Sequence, residues 1–170
     1  MLFYGNLILA VIILIVISFQ DFKYRAISWY LPLVLGATLF FLKTDNEDVS
    51  ATLIVIALNI VLLTVSIIGI VIYYSMKEKK LVNIFDTYIG WGDILMLYVF
   101  CFGFSFFNFI LFYFLSLLLS IILYSTFLII KKEIKLIPFA ATMSISALIH
   151  ISAISFFEFD STIFQLSFFY

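Results

Sequence analysis

From Ile94 to Ile130 the chain runs 37 residues without a charged side chain, and that run limits the fold more than any other feature. As one α-helix it would be about 55 Å long, against a bilayer hydrocarbon core of roughly 30 Å. It must therefore hold two helices, with the break near Gly103 to Asn108.

Other apolar runs between charges complete a set of six expected helices: Leu2 to Gln20, Ala26 to Leu42, Val49 to Tyr74, Tyr88 to Phe104, Phe107 to Ile130 and Leu136 to Phe157. Most have the roughly 20 residues that cross a bilayer. Composition agrees. Only 11% of the 170 residues are charged and the mean hydropathy is +1.28, whereas a soluble domain is about a quarter charged. Too little polar surface is present to cover a water-soluble body of this size. The expected fold is all-α: a polytopic integral membrane protein forming one domain over residues 1–170, with the first segment retained as a span.

The same residues exclude several functions. A net charge of −1 gives no basic surface for nucleic acid. One cysteine, Cys101, allows no internal disulfide and no Cys-x-x-Cys pair. One histidine, His150, allows no two-His zinc site. No metal and no cofactor is expected.

Orientation follows from the basic residues in short loops. Lys23 and Arg25 follow the first helix, Lys77, Lys79 and Lys80 the third, and Lys131, Lys132 and Lys135 the fifth, so eight of the nine basic residues occupy alternate loops. The remaining one, Lys43, lies on the other side with Asp45, Glu47, Asp48, Glu158 and Asp160. This alternation predicts cytoplasmic Lys-rich loops and both termini outside.

Among the acids on the cytoplasmic side, Asp21 and Asp93 stand out. Asp21 closes the first helix, and Asp93 opens the fourth in Gly90-Trp91-Gly92-Asp93. An ionisable group at the edge of an apolar helix is costly and points to function; the bland alternative is a pair of interfacial carboxylates that solvate the helix ends or pair with Lys23 and Arg25. Gly90 and Gly92 each cost about 1 kcal/mol in a helix relative to Ala, and a glycine pair beside a carboxylate allows close backbone approach. Two carboxylates sharing a proton can hydrolyse a peptide, one activating water and the other protonating the carbonyl oxygen. Helix dipoles favour Asp21 as the acid and Asp93 as the base, with Lys23 and Arg25 opposing that assignment at Asp21.

These segments resemble the type IV prepilin peptidases, Gly-x-Gly-Asp aspartic proteases of the inner membrane. Asp21-Phe22-Lys23-Tyr24-Arg25-Ala26-Ile27-Ser28 is similar to that family's first motif, with Ser28 in place of its proline. Gly90-Trp91-Gly92-Asp93 matches the second in full, although Ile94-Leu95 follows where many members have x-Lys. Ile137-Pro138-Phe139-Ala140 resembles a late Pro-Phe motif, with Ala140-Ala141 in place of Gly-Pro. The resemblance implies catalytic Asp21 and Asp93, and substrate positioning by Gly90, Gly92, Arg25 and Pro138. It also implies a substrate: a pilin-like or pseudopilin precursor with a basic leader and a single N-terminal apolar helix, cut at the cytoplasmic membrane face. The family's Cys-rich insertion has no counterpart here, which leaves N-methylation unsupported.

The remaining polar residues have plainer readings. His150 is expected as a packing histidine; the sharper alternative is a rhomboid-like serine protease using Ser105 and His150. Asp86 is expected as a loop residue or N-cap, and Asn59 as an interhelical hydrogen bond. Ser116 with Ser120, and Thr142 with Ser146, have the small-x-x-x-small spacing of close helix contacts. Against the peptidase stands a non-catalytic scaffold that binds helices with a degenerate peptidase fold. A small transporter lacks its usual pairs of Gly- or Pro-broken helices.

Overall fold

The computed structural model describes residues 2–45, 48–79, 90–129 and 138–157. Glu47, Lys80, Asp86, Lys131, Lys132, Glu133, Lys135, Ile137, Glu158 and Asp160 lie outside these, as do the expected helix ends at Tyr88, Ile130 and Leu136. The described residues are helical throughout their regular structure: α1 Leu2–Tyr24, α2 Tyr30–Thr44, α3 Val49–Glu78, α4 Trp91–Phe100, α5 Phe106–Ile129 and α6 Phe139–Phe157. The expected all-α class and order of helices are what the structure has.

Length divides the helices into two sets. In α1, α3 and α5 the apolar stretches Phe3–Tyr24, Val49–Glu78 and Phe106–Thr126 are long and apolar enough to cross a membrane. The apolar stretches of α2, α4 and α6 are shorter. Large apolar side chains such as Ile8, Ile12 and Phe19 on α1, Ile54 and Val65 on α3, and Leu111 and Phe114 on α5 are exposed. In water these would be a liability; against lipid tails they are an ordinary surface. The chain is a membrane protein.

α1, α2, α4 and α6 pack around one another, while α5 lies against α6 and α3 touches α2, α4 and α5. On α1 the buried stripe is Ala10, Ile13, Leu14 and Ile17, the spacing of one helix face. On α6 it is Ala140, Met143, Ser144 and Ala147, whose small members let α6 approach α1 closely. The core continues through Met96, Val99 and Phe100 of α4 into an aromatic stack, with Phe104 and Phe112 centroids 4.6 Å apart. The abundant phenylalanine thus divides between packing and exposed surface.

The break in the 37-residue uncharged run falls at residues 101–105, slightly earlier than expected. Amides of Cys101, Phe102 and Gly103 reach back three residues, to Tyr98, Val99 and Phe100, tightening the last turn of α4. The Phe109 N–H then bonds to Ser105 O at 2.8 Å and starts α5. Freed carbonyls in this break are met from neighbouring helices. Asn59 Nδ2 donates to Cys101 O (3.2 Å) and Phe104 O (3.0 Å), the interhelical bond expected of it. Lys43 Nζ donates to Phe104 O at 2.9 Å and is buried, although the sequence places it in a loop.

Candidate active site

Asp21 extends the buried stripe of α1 by one further turn, four residues after Ile17, and is only 6% exposed. α1 runs one turn longer than its apolar residues alone predict, so Asp21 lies within the helix. The helix ends at Arg25, whose N–H bonds to Asp21 O at 3.0 Å and whose φ is +54°. That left-handed conformation costs a non-glycine residue about 1–2 kcal/mol and turns the chain sharply. Gln20 Oε1 then accepts the Ser28 N–H at 3.1 Å, tying the following loop back to α1. Arg25 is exposed and lies close enough to attract the Asp21 charge.

Asp93 is the third residue of α4, with Gly90 before the first turn. Gly90 O accepts the amides of Asp93 and Ile94, at 3.1 and 3.2 Å. In return the Asp93 carboxylate accepts the Gly90 N–H. The bond from the third residue back to the N-cap amide is one half of a capping box, with aspartate in the place of glutamate; glycine has no side chain to supply the other half. A Cβ on Gly90 would lie 3.3 Å from Asp93 Oδ2, so the missing side chain is what lets the carboxylate fold back. A Cβ on Gly92 would meet Ile27 at an ordinary 3.5 Å. Both glycines have ordinary negative φ; space around the carboxylate, not backbone freedom, is what Gly90 supplies.

The two acids meet at α6. Asp93 Oδ1 accepts the Ala140 N–H at 2.9 Å, and Asp21 Oδ2 accepts the Ala141 N–H at 2.7 Å. First-turn amides have no partner inside their own helix, and a helix N-terminus favours anions. Because the donors belong to consecutive residues, the carboxylates are neighbours, near enough for their charges to interact. Pro138 is buried at the head of α6, and its carbonyl accepts the Thr142 N–H at 3.2 Å.

Asp21, Gly90, Gly92, Asp93, Arg25 and Pro138 are thereby gathered around three helix ends. Sequence reasoning missed the Ala140 and Ala141 amides, since backbone donors have no residue signature; Pro138 marked the helix start that exposes them. It also missed Gln20. The dipole argument for dividing the proton weighed α1 and α4 alone, whereas the N-terminus of α6 acts on both carboxylates. Ser105 and His150 are not joined: Ser105 Oγ has no hydrogen-bond partner, and the His150 ring stands edge-on to Phe104, 5.0 Å between centroids. Among the described residues no three His, Cys, Asp or Glu side chains cluster as metal ligands would.

Comparison with known proteins finds no match to this chain among protein-family models, curated proteins or solved structures.

Proposed function

We propose that this chain is a membrane aspartic endopeptidase of the prepilin-peptidase type, in which Asp21 and Asp93 activate water. One observation carries the reading. Two carboxylates 72 positions apart in the sequence sit side by side on consecutive amides of a third helix. Burying two neighbouring anions is expensive unless they share a proton or are put to use.

In the proposed reaction the ionised carboxylate takes a proton from water as the oxygen attacks the scissile carbonyl carbon. The protonated partner gives its proton to the carbonyl oxygen, forming a neutral tetrahedral diol. The carboxyl that took the water proton then gives it to the leaving nitrogen while its partner takes a proton from a diol hydroxyl, which breaks the C–N bond, re-forms a carbonyl and restores the pair. Because the carboxylates interact, they titrate as a unit, and the acid and base roles belong to the pair.

The proposed topology has six membrane crossings, both termini outside and the site at the cytoplasmic face of the inner membrane. Meeting of the end of α1 with the starts of α4 and α6 supports it, since these three ends share one face when every helix crosses. The alternation of basic loops supports the direction. The proposed substrate is a pilin-like or pseudopilin precursor, cut between its basic leader and its single apolar helix.

The test is co-expression with such precursors, comparing the wild type with Asp21→Asn and Asp93→Asn. Leader removal by the wild type alone is expected. Equal removal by all three eliminates the aspartyl mechanism, and selective loss in Ser105→Ala would favour the serine reading. A wild type that binds precursors without cutting them would be the non-catalytic scaffold.

A further inference from the structure

Behind the carboxylates, α5 reaches α6 through a buried pair of hydroxyls. Ser120 Oγ and Thr142 Oγ1 are 2.6 Å apart. Thr142 Oγ1 is also 2.7 Å from Phe139 O, and Ser120 Oγ is 2.9 Å from Ser116 O. Two hydroxyl protons thus face three contacts. Two arrangements fit: Thr142 donates to Phe139 O and Ser120 to Thr142, or Thr142 donates to Ser120 and Ser120 to Ser116 O; the shorter carbonyl contact, at Phe139, favours the first.

The Phe139 carbonyl is one half of the peptide group whose other half is the Ala140 N–H, the donor to Asp93 Oδ1. Hydrogen bonding to a peptide oxygen polarises the group and strengthens its N–H as a donor, by about 10–30% per bond. We propose that Thr142, backed by Ser120, is a positioning residue for Asp93, acting through the Phe139–Ala140 peptide group. The chain runs from the Ser120 hydroxyl to the Thr142 hydroxyl, through that peptide, to the Asp93 carboxylate. Asp21 lies outside it, because its donor is the Ala141 N–H of the next peptide group. The catalytic meaning of this chain rests on the peptidase reading of Asp93; its hydrogen bonding does not.

Backbone amide resonances separate the two. Phe139-Ala140 and Ala140-Ala141 are the only Phe-Ala and Ala-Ala pairs in the sequence. Carbonyl-¹³C phenylalanine or alanine combined with ¹⁵N-alanine therefore assigns each amide in the full chain in lipid nanodiscs. In Thr142→Val the Ala140 amide proton is expected to move upfield, as its bond to Asp93 weakens, while the Ala141 proton holds its position. Thr142→Ser is expected to restore the wild-type Ala140 shift, and Ser120→Ala to give a smaller upfield move.

An unmoved Ala140 resonance in Thr142→Val, equal movement of Ala140 and Ala141, or failure of serine to restore the shift overturns the proposal. Should Thr142→Val not fold, Ser120→Ala decides: an Ala140 shift alone supports the chain and an unmoved one overturns it. On precursor cleavage, Thr142→Val is expected to lower kcat about tenfold with KM unchanged, the size of effect a slightly misplaced group has. A wild type that cuts nothing while Ala140 still responds would sink the peptidase reading and leave the hydrogen-bond chain standing.

Discussion

At the head of α6 free backbone amides meet two carboxylates, and in the break after α4 free carbonyls meet the Asn59 amide and the Lys43 ammonium. Both are helix ends left open inside an apolar bundle, and both are completed by side chains from other helices. The sign is opposite. Amides at an N-terminus accept anions and carbonyls at a C-terminus accept cations or donors. The difference teaches what each is for. At the α4 break donors meet the Cys101 and Phe104 carbonyls, which ties the backbone to α2 and α3. At α6 two carboxyl groups are brought together, and their repulsion when both are ionised lowers stability; in the proposed peptidase the pair holds one proton between them.

Asp21→Asn and Asp93→Asn break the comparison most deeply. An asparagine oxygen still accepts the Ala141 or Ala140 N–H, so the helix end stays closed while the charge and the shared proton go. Cleavage of a precursor is expected to fall about 10²–10⁴-fold, the range for removal of a general acid or base. The thermal unfolding midpoint in detergent is expected to hold or rise, because like-charge repulsion is relieved. A coupled fall in both would make the carboxylates structural.

Asn59→Asp reverses the sign at the other end. It sets a carboxylate oxygen against Cys101 O and Phe104 O, where an amide donated. Cys101 and Phe104 are buried, and leaving a buried carbonyl unsatisfied costs about 1–3 kcal/mol. Loss of folded protein, or a much lowered unfolding midpoint, is expected. Lys43→Met is milder, since Asn59 still serves Phe104 O, and a loss of about 1.5 kcal/mol matches a charged hydrogen bond. Denaturant titration of the purified protein measures both, and a larger effect for Lys43→Met than for Asn59→Asp would show that the ammonium, not the amide, closes the break.

Much of the architecture was legible because apolar runs and charges are a direct record of burial in lipid. All six helices follow from them, and the ends that differ do so for local reasons. α1 outlasts its apolar stretch because Asp21 continues the buried face toward α6, and α2 begins later because Gln20 holds Ser28 in the loop. Asp21 and Asp93 were legible as out-of-place charges. Their partners were not, since Ala140 and Ala141 contribute only backbone. Lys43 was misread as a loop cation because its stem and charge are accommodated by a carbonyl 61 positions away, a contact that no local pattern encodes.

The smallest expected effect separates the two glycines of Gly90-Trp91-Gly92-Asp93, which a motif treats as equivalent. A methyl group on Gly90 meets Asp93 Oδ2 at 3.3 Å, whereas one on Gly92 meets only Ile27 at 3.5 Å. The first contact is tight enough to push the carboxylate by a few tenths of an ångström, away from its bond to the Gly90 N–H. The second is ordinary van der Waals packing against a side chain that can turn. Gly90→Ala is therefore expected to reduce cleavage several-fold, as small displacements of a reacting group do, with little change in unfolding midpoint. Gly92→Ala, at the second position of α4, is expected to leave the midpoint unchanged or raise it by the few tenths of a kcal/mol that alanine gains over glycine, and to leave cleavage close to wild type. Equal activity loss in both variants would mean that the extended substrate, not the Asp93 carboxylate, needs the glycines, and would move the origin of the motif from the acid to the peptide it cuts.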